Sequence, residues 1–209
     1  MTTEETIGGV SSKRAGRGAA LILLHSLLTD RGVFDRVVPA LASEWTVHAI
    51  DLPGFGSTPA VAPTIDAYAD VVGAVLEDGG FDPTTTAILG NGLGAFVALG
   101  AAVRHGDRFD RLVLVGCGAA FPPPAAEAFP AMAAAAAYGG TDAVAEGALA
   151  RIFPLDYIES HPEEADQRRR VLLNTRPEVF AAACRALAAV DYSIAARSVG
   201  NPTLIVVGS

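Results

Sequence analysis

The sequence has few of the features that mark secreted, membrane-spanning or metal-binding proteins. Its two cysteines, Cys117 and Cys184, match no metal-binding spacing, so we expect two core thiols in a cytoplasmic protein that holds no metal. No apolar run approaches the roughly 20 residues that a membrane-spanning helix needs. Glu4 and Glu5 make the start unlike a signal peptide. We therefore expect no export and no membrane partner.

Basic residues are also scarce. The chain has 15 Lys and Arg against 23 Asp and Glu, a formal net charge of -8, and only Arg168, Arg169 and Arg170 form a cluster. A nucleic-acid groove needs a basic face, so no nucleic-acid partner is expected. Three consecutive residues point around a helix, so at most one of these arginines can face a pocket and bind an anionic substrate; a solvated face is the alternative.

Short apolar runs that alternate with helical patterns predict an α/β fold. In 209 residues of which 51% are hydrophobic, strands are predicted at 19–24, 46–50, 86–89 and 111–115, and helices at 33–42, 65–77 and 95–105. This alternation favours a mainly parallel sheet with helices on both faces. Residues 1–18, rich in Gly, Ser and charge, predict a loose lead-in or at most an edge hairpin.

The pattern becomes helical after residue 120. Helices are predicted at 131–138, 141–153, 162–174 and 177–190, and the break at 121–124 precedes them; a strand at 203–207 follows Asn201-Pro202. A helical insertion between two strands of one sheet is typical of a lid. We therefore expect a core at 1–120, a helical cap at 121–193 and a return to the core, with the last strand, at 194–209.

The segment 88–95 combines a strand, a tight glycine turn and the start of a helix. It fits the frame of the nucleophile elbow Gly-x-Ser-x-Gly, with Gly90 and Gly94 as the flanking glycines, but the central residue is Gly92. It also matches the dinucleotide fingerprint through Gly90, Gly92 and Ala95. Two strands precede it and the next strand ends without an acid, so nucleotide binding is the less favoured alternative.

Around this turn, several segments resemble the α/β-hydrolase superfamily, most closely its 3-oxoadipate enol-lactonase-like branch. These segments are 23–30, 51–57, 111–115, 148–153, 180–191 and 201–208. The resemblance runs from about residue 19 to the last residue. It implies an α/β-hydrolase fold and, as substrate, a small acyl or lactone molecule, with no cofactor.

The resemblance also implies the site. Gly92 stands at the nucleophile position, the N–H groups of Leu27 and Leu93 are the oxyanion donors, and His25, Ser26 and Phe153 complete the oxyanion and substrate-binding set. In the family the triad acid follows the strand that ends here at Gly208-Ser209 and the histidine follows one more strand. The resemblance therefore implies that the C-terminal part of the fold, with both residues, is missing.

The remaining candidates have structural interpretations. His25 is expected to shape the oxyanion loop, His48 to lie in the core, His105 to be exposed at a helix end and His161 to lie on the lid. Cys117 lies at a strand's carboxyl end, where it is a weak substitute nucleophile without a local base.

Function and assembly stay open at this point. A triad-lacking hydrolase relative, inactive or with other chemistry, and a non-catalytic ligand-binding pseudoenzyme both fit, and nucleotide binding is the third possibility. The strand at 203–207 is apolar, and an uncovered edge strand promotes aggregation. We therefore expect a second copy, a partner chain or a C-terminal segment to cover it.

Overall fold

A computed structural model describes residues 2–208, whose strands form one seven-stranded sheet in the order β1-β2-β4-β3-β5-β6-β7. The strands are β1 (Thr2–Ile7), β2 (Val10–Gly16), β3 (Ala19–Leu24), β4 (Trp45–Ile50), β5 (Ala87–Asn91), β6 (Arg111–Val115) and β7 (Thr203–Val206). β3 to β7 pair in parallel, and β2 pairs antiparallel with both β1 and β4. The predicted mainly parallel sheet is confirmed.

Eight α-helices lie within the described residues. They are α1 (Val38–Leu41), α2 (Ile65–Asp78), α3 (Leu93–His105), α4 (Pro123–Gly139), α5 (Asp142–Ile152), α6 (Leu155–Ser160), α7 (Pro162–Asn174) and α8 (Pro177–Ala189). The helix predicted at 33–42 is wrong in extent, because a 3-10 turn at Arg31–Phe34 precedes a single α-helical turn. The break predicted at 121–124 is also wrong in extent, since α4 begins at Pro123, where a helix tolerates the missing N–H of proline.

The lead-in forms the edge hairpin that the sequence left as its second alternative. β1 and β2 pair over their full length, from Thr2 opposite Ala15 to Ile7 opposite Val10. The hairpin extends the sheet on the side of β4, away from β7. It therefore covers one edge of the parallel sheet and leaves the other edge to β7.

Alternating side chains of β3 reach two separate apolar layers. Ile22 and Leu24 join the larger cluster with α2, α3 and α8, whereas Leu21 and Leu23 pack with Val38 on the opposite face. Successive strand residues point to opposite faces, and here both faces are buried. This explains why the strand is a continuous apolar run rather than an alternating one.

The five helices α4 to α8 separate β6 from β7 in the chain. Phe180 and Leu187 of α8 belong to the main apolar cluster, so this helical segment shares a core with α2, α3 and one face of the sheet. We propose that residues 121–193 form the predicted cap. No helix among residues 2–208 has both the length and the apolar character needed to cross a bilayer.

Candidate functional site

The glycine turn between β5 and α3 has the backbone of an elbow. Gly92 adopts φ 54 and ψ -115, a conformation that side-chain-bearing residues rarely take. A β-carbon at Gly90 would lie 2.6 Å from Cα of Ala95, and one at Gly94 would lie 2.7 Å from the carbonyl oxygen of His25. Strand and helix backbones therefore touch at the flanking positions, and only glycine fits there.

Ser26 fills the space above Gly92. A β-carbon at Gly92 would collide with Ser26 Oγ and lie 3.1 Å from Ser26 Cβ. The backbone of Ser26 is held by Thr29, whose hydroxyl accepts from the Ser26 N–H and donates to the Ser26 carbonyl, each at 3.1 Å. The loop after β3 therefore places a serine hydroxyl where a nucleophile at position 92 would have its side chain.

The two predicted oxyanion donors line one cavity with Gly92. Leu27 and Leu93 stand beside Ser26 and Gly92 in its wall. Within residues 2–208, neither the Leu27 N–H nor the Leu93 N–H donates a hydrogen bond. Leu93 also begins α3, where helix N–H groups lack internal partners and the helix dipole favours negative charge. The arrangement can receive a carbonyl oxygen or a carboxylate.

His25 is buried behind this cavity and cannot act as a base. Its Nε2 accepts the Leu52 N–H at 3.0 Å, and its Nδ1 lies 2.9 Å from the Ser26 carbonyl oxygen, to which it donates. Burial holds the pKa of His25 below its ordinary value, so the ring is neutral. With both nitrogens engaged, His25 joins the loop after β3 to the turn after β4.

Two cavities meet at Ser26, Leu28 and Arg151. The apolar cavity, of 450 Å³, lies over Gly92 and is walled by Phe96, Phe121, Ala125, Ala128, Phe129, Met132 and Leu187 as well as the elbow. The polar cavity, of 770 Å³, is lined by Thr29, Val33, Arg36, Val37, Asn91, Ile152, Phe153, Glu164 and Arg168. Phe153 therefore lies in the wall of the polar cavity and not beside Gly92.

Sequence reasoning missed several polar residues of these walls, namely Arg36, Asn91, Arg151 and Glu164. Asn91 lies between Gly90 and Gly92 in the elbow motif, and this position could have indicated that it lines a cavity. Arg151 stands at the end of α5, and no local pattern shows that this helix folds over the sheet. Of the three clustered arginines, Arg168 lines the polar cavity, in agreement with the prediction that at most one can do so.

The other histidines lie in different surroundings. His48 is buried, with Nδ1 2.9 Å from Glu5, as expected for a core residue. The prediction that His105 is exposed was wrong, because its side chain is only 20% exposed and its Nε2 lies 2.9 Å from Asp70. His161 is exposed on the helical segment, stacked on Tyr157.

Cys117 is a poor nucleophile in this setting. Its thiol donates to the Gly118 carbonyl oxygen at 3.0 Å, and burial raises its pKa to about 11. The thiolate, which is the reactive form, is therefore scarce at neutral pH. Within residues 2–208, no group of three or more His, Cys, Asp or Glu side chains is arranged to hold a metal ion.

The family model described as "alpha/beta hydrolase fold" matches residues 19–206. The pimeloyl-[acyl-carrier protein] methyl ester esterase of Aromatoleum aromaticum is 30% identical over 90% of this chain and 78% of that protein. The enzyme of the same name from Aeromonas hydrophila is 37% identical over 115 residues, and this chain spans only 43% of its length.

Solved structures agree with the sequence matches. The enol-lactonase from Burkholderia xenovorans LB400 superimposes with a TM-score of 0.87 at 26% identity, covering 97% of this chain and 80% of that one. A thermophilic esterase from Thermogutta terrifontis gives 0.85 at 25% identity, covering 100% and 80%. The resemblance to enol-lactonase-like proteins is thus confirmed.

Proposed function

This chain belongs to the α/β-hydrolase family, and on that premise we propose that it binds a small acyl or lactone-type ligand under the cap without triad-based hydrolysis. The observation that carries the proposal is Gly92, which keeps the elbow backbone and has no side chain with which to attack a carbonyl. Removal of a triad nucleophile leaves only the contribution of binding and of the oxyanion donors. Neither His25 nor Cys117 supplies a replacement.

Two features beside Gly92 support ligand binding. The Leu27 and Leu93 N–H groups are free to receive a carbonyl oxygen, and an apolar cavity of 450 Å³ lies directly beside them. Pockets that combine apolar walls with a few directed donors suit small ligands. The names of the relatives, an acyl methyl ester esterase and an enol-lactonase, support the same ligand class.

Nucleotide binding has less support. β3 and β4 precede the glycine turn in the chain, and β6 ends at Val115-Gly116, where a dinucleotide site would have an acid. The cavity beside the turn is also walled mainly by aromatic and aliphatic side chains. We therefore favour an acyl ligand over a phosphate.

Turnover is tested with p-nitrophenyl butyrate and an enol-lactone. We expect no hydrolysis above the uncatalysed rate for the wild type and for Cys117→Ala. Gly92→Ser and the double variant Gly92→Ser/Ser26→Ala show whether a hydroxyl at the elbow is enough to produce hydrolysis. Robust turnover by the wild type that survives Cys117→Ala would contradict the proposal.

Binding is tested separately by calorimetry with δ-valerolactone and dimethyl adipate, and with NAD and ATP as comparison ligands. Ala128→Trp places an indole in the wall of the apolar cavity, and Ala131→Trp places one on the exposed side of the same helix. We expect the acyl ligands to bind, and only Ala128→Trp to abolish binding. Binding of NAD or ATP alone would favour the nucleotide alternative.

A further inference from the structure

Arg168 is an arginine whose side chain is largely buried and whose charged group reaches a cavity. It lies on α7, is only 8% exposed and lines the polar cavity. Its neighbour Arg169 pairs with Glu146 and Asp166. Within residues 2–208, by contrast, the Arg168 guanidinium forms no hydrogen bond and no ion pair. The guanidinium nitrogens keep some solvent contact, so the charged group faces the polar cavity and is available to an anionic ligand.

The acid on the same helix face as Arg168 already has other partners. Glu164 lies one helical turn before Arg168, but its Oε1 is 3.0 Å from Arg36 and its Oε2 accepts the Tyr157 hydroxyl at 2.9 Å. These contacts, with a smaller contribution from Arg168, hold the pKa of Glu164 below its ordinary value. Glu164 is therefore an ionised carboxylate whose hydrogen bonds go to Arg36 and Tyr157 rather than to Arg168.

Arg151 adds a second positive charge on the way to the elbow. It lines both the polar and the apolar cavity, and Nη1 donates to the Gly147 carbonyl oxygen at 3.3 Å. Among residues 2–208, no carboxylate pairs with it. Ser26 also borders both cavities, so one ligand can extend from the elbow to Arg168.

We propose that the polar cavity is a carboxylate subsite, with Arg168 as its main cation and Arg151 as its second. This rests on the proposed function and specifies its ligand: an acyl or lactone molecule with a carboxylate at its far end. Its carbonyl oxygen lies at the Leu27 and Leu93 N–H groups, its apolar part in the 450 Å³ cavity and its carboxylate against Arg168. Guanidinium groups suit this task because they bind carboxylates through two parallel hydrogen bonds.

The test compares monomethyl adipate, which has one free carboxylate, with neutral dimethyl adipate. Calorimetry on the wild type should show monomethyl adipate binding about tenfold tighter or more, a difference of about 1.4 kcal/mol. Arg168→Met keeps the apolar stem and removes the main charge, and it should remove most of this difference. Arg170→Met, an exposed position on the same helix, is the matched control and should keep it.

Each outcome bears on one of the two proposals. Equal affinity for both esters in the wild type, or an unchanged preference in Arg168→Met, would overturn the carboxylate subsite. If dimethyl adipate still binds and Ala128→Trp blocks it, the proposed function survives that result. Failure of both esters to bind at about 10 mM would overturn both proposals.

A second measurement separates ligand recognition from a structural role. Thermal unfolding of the ligand-free protein should show Arg168→Met at least as stable as the wild type, because the substitution keeps the apolar stem and breaks no hydrogen bond or ion pair within residues 2–208. A large loss of stability would assign Arg168 to the structure of the helical segment and overturn the proposal. Should that variant not fold, Arg151→Met, at an exposed position, must reduce the preference for monomethyl adipate if the subsite exists.

Discussion

The Ser26 hydroxyl occupies the space into which a side chain at Gly92 would project. The two residues come from different strands' carboxyl ends, Ser26 after β3 and Gly92 after β5, and the parallel pairing of these strands brings them together. The space that a side chain at position 92 would need is thus already filled by Ser26. A hydroxyl beside the Leu27 and Leu93 N–H groups, which donate no hydrogen bond within residues 2–208, suits a site that holds a ligand oxygen.

This match predicts an energetic coupling between the two positions. Gly92→Ala should lower the free energy of unfolding by roughly 1–2 kcal/mol from its positive φ alone, and further through the collision with Ser26 Oγ. In a Ser26→Ala background the collision with Oγ disappears, so the loss should shrink by about 0.5 kcal/mol or more. Urea unfolding of the four proteins of this cycle measures both quantities.

Gly200 provides the control for this cycle. A β-carbon there meets no atom within 4 Å, and its φ is not in the left-handed region. Gly200→Ala should therefore be neutral or slightly stabilising. Equal effects of alanine at Gly92 and at Gly200, or a Gly92→Ala cost that Ser26→Ala leaves unchanged, would contradict the coupling.

Because His25 is buried in its neutral form, we expect the free energy of unfolding to decrease in mild acid. Its folded-state pKa lies below its ordinary value of 6.5 because burial disfavours the charged ring. The unfolded chain therefore binds the proton first, and stability falls as the pH decreases from about 7.5 to about 5.5. Asp51 acts in the opposite sense because burial raises its pKa, a rise that its interactions with Arg31 and His25 partly offset.

The measurement is the urea midpoint as a function of pH. His25→Gln, whose amide oxygen can still accept the Leu52 N–H, should show a smaller decrease over this range than the wild type. His161→Gln, at an exposed position, is the control and should follow the wild type. Parallel curves for wild type and His25→Gln would show that His25 does not carry the pH dependence.

Cys117 should react slowly with alkylating agents at neutral pH. Burial raises its pKa to about 11, so the reactive thiolate is a small fraction of the thiol. Alkylation by iodoacetamide should accelerate about tenfold per pH unit between about pH 7 and about pH 10. Mass spectrometry of the wild type and of Cys117→Ser measures this rate, and fast modification of Cys117 at neutral pH would contradict it.

The β7 edge predicts self-association. Leu204, Ile205 and Val206 are 59%, 62% and 42% exposed, and β7 pairs only with β6 in the described sheet. Apolar strand edges template further pairing. We therefore expect chromatography with light scattering to show an assembly larger than a monomer, which Ile205→Lys should weaken. Leu155→Lys, another exposed apolar position, should leave it unchanged; a monomeric wild type would refute the prediction.

Local patterns were enough to predict the sheet and the elbow. The strand β3 is a continuous apolar run because both of its faces are buried, and that burial is visible in the residue types themselves. Gly90 and Gly94 are likewise local signals, since the contact between strand and helix backbones admits no other residue. The start of α4 was misjudged because Phe121 to Pro124 resembles a break, although proline is acceptable in a first helical turn.

The sequence by itself determined the family and the absence of a nucleophile at Gly92, because both depend on residue types at fixed spacing along the chain. Only the tertiary structure decided that Ser26 fills the space above Gly92 and that Arg168, rather than Arg169 or Arg170, lines the polar cavity. These relationships join β3 to β5 and α7 to the sheet. They depend on how distant segments pack, and no spacing within one segment encodes the distance between two others.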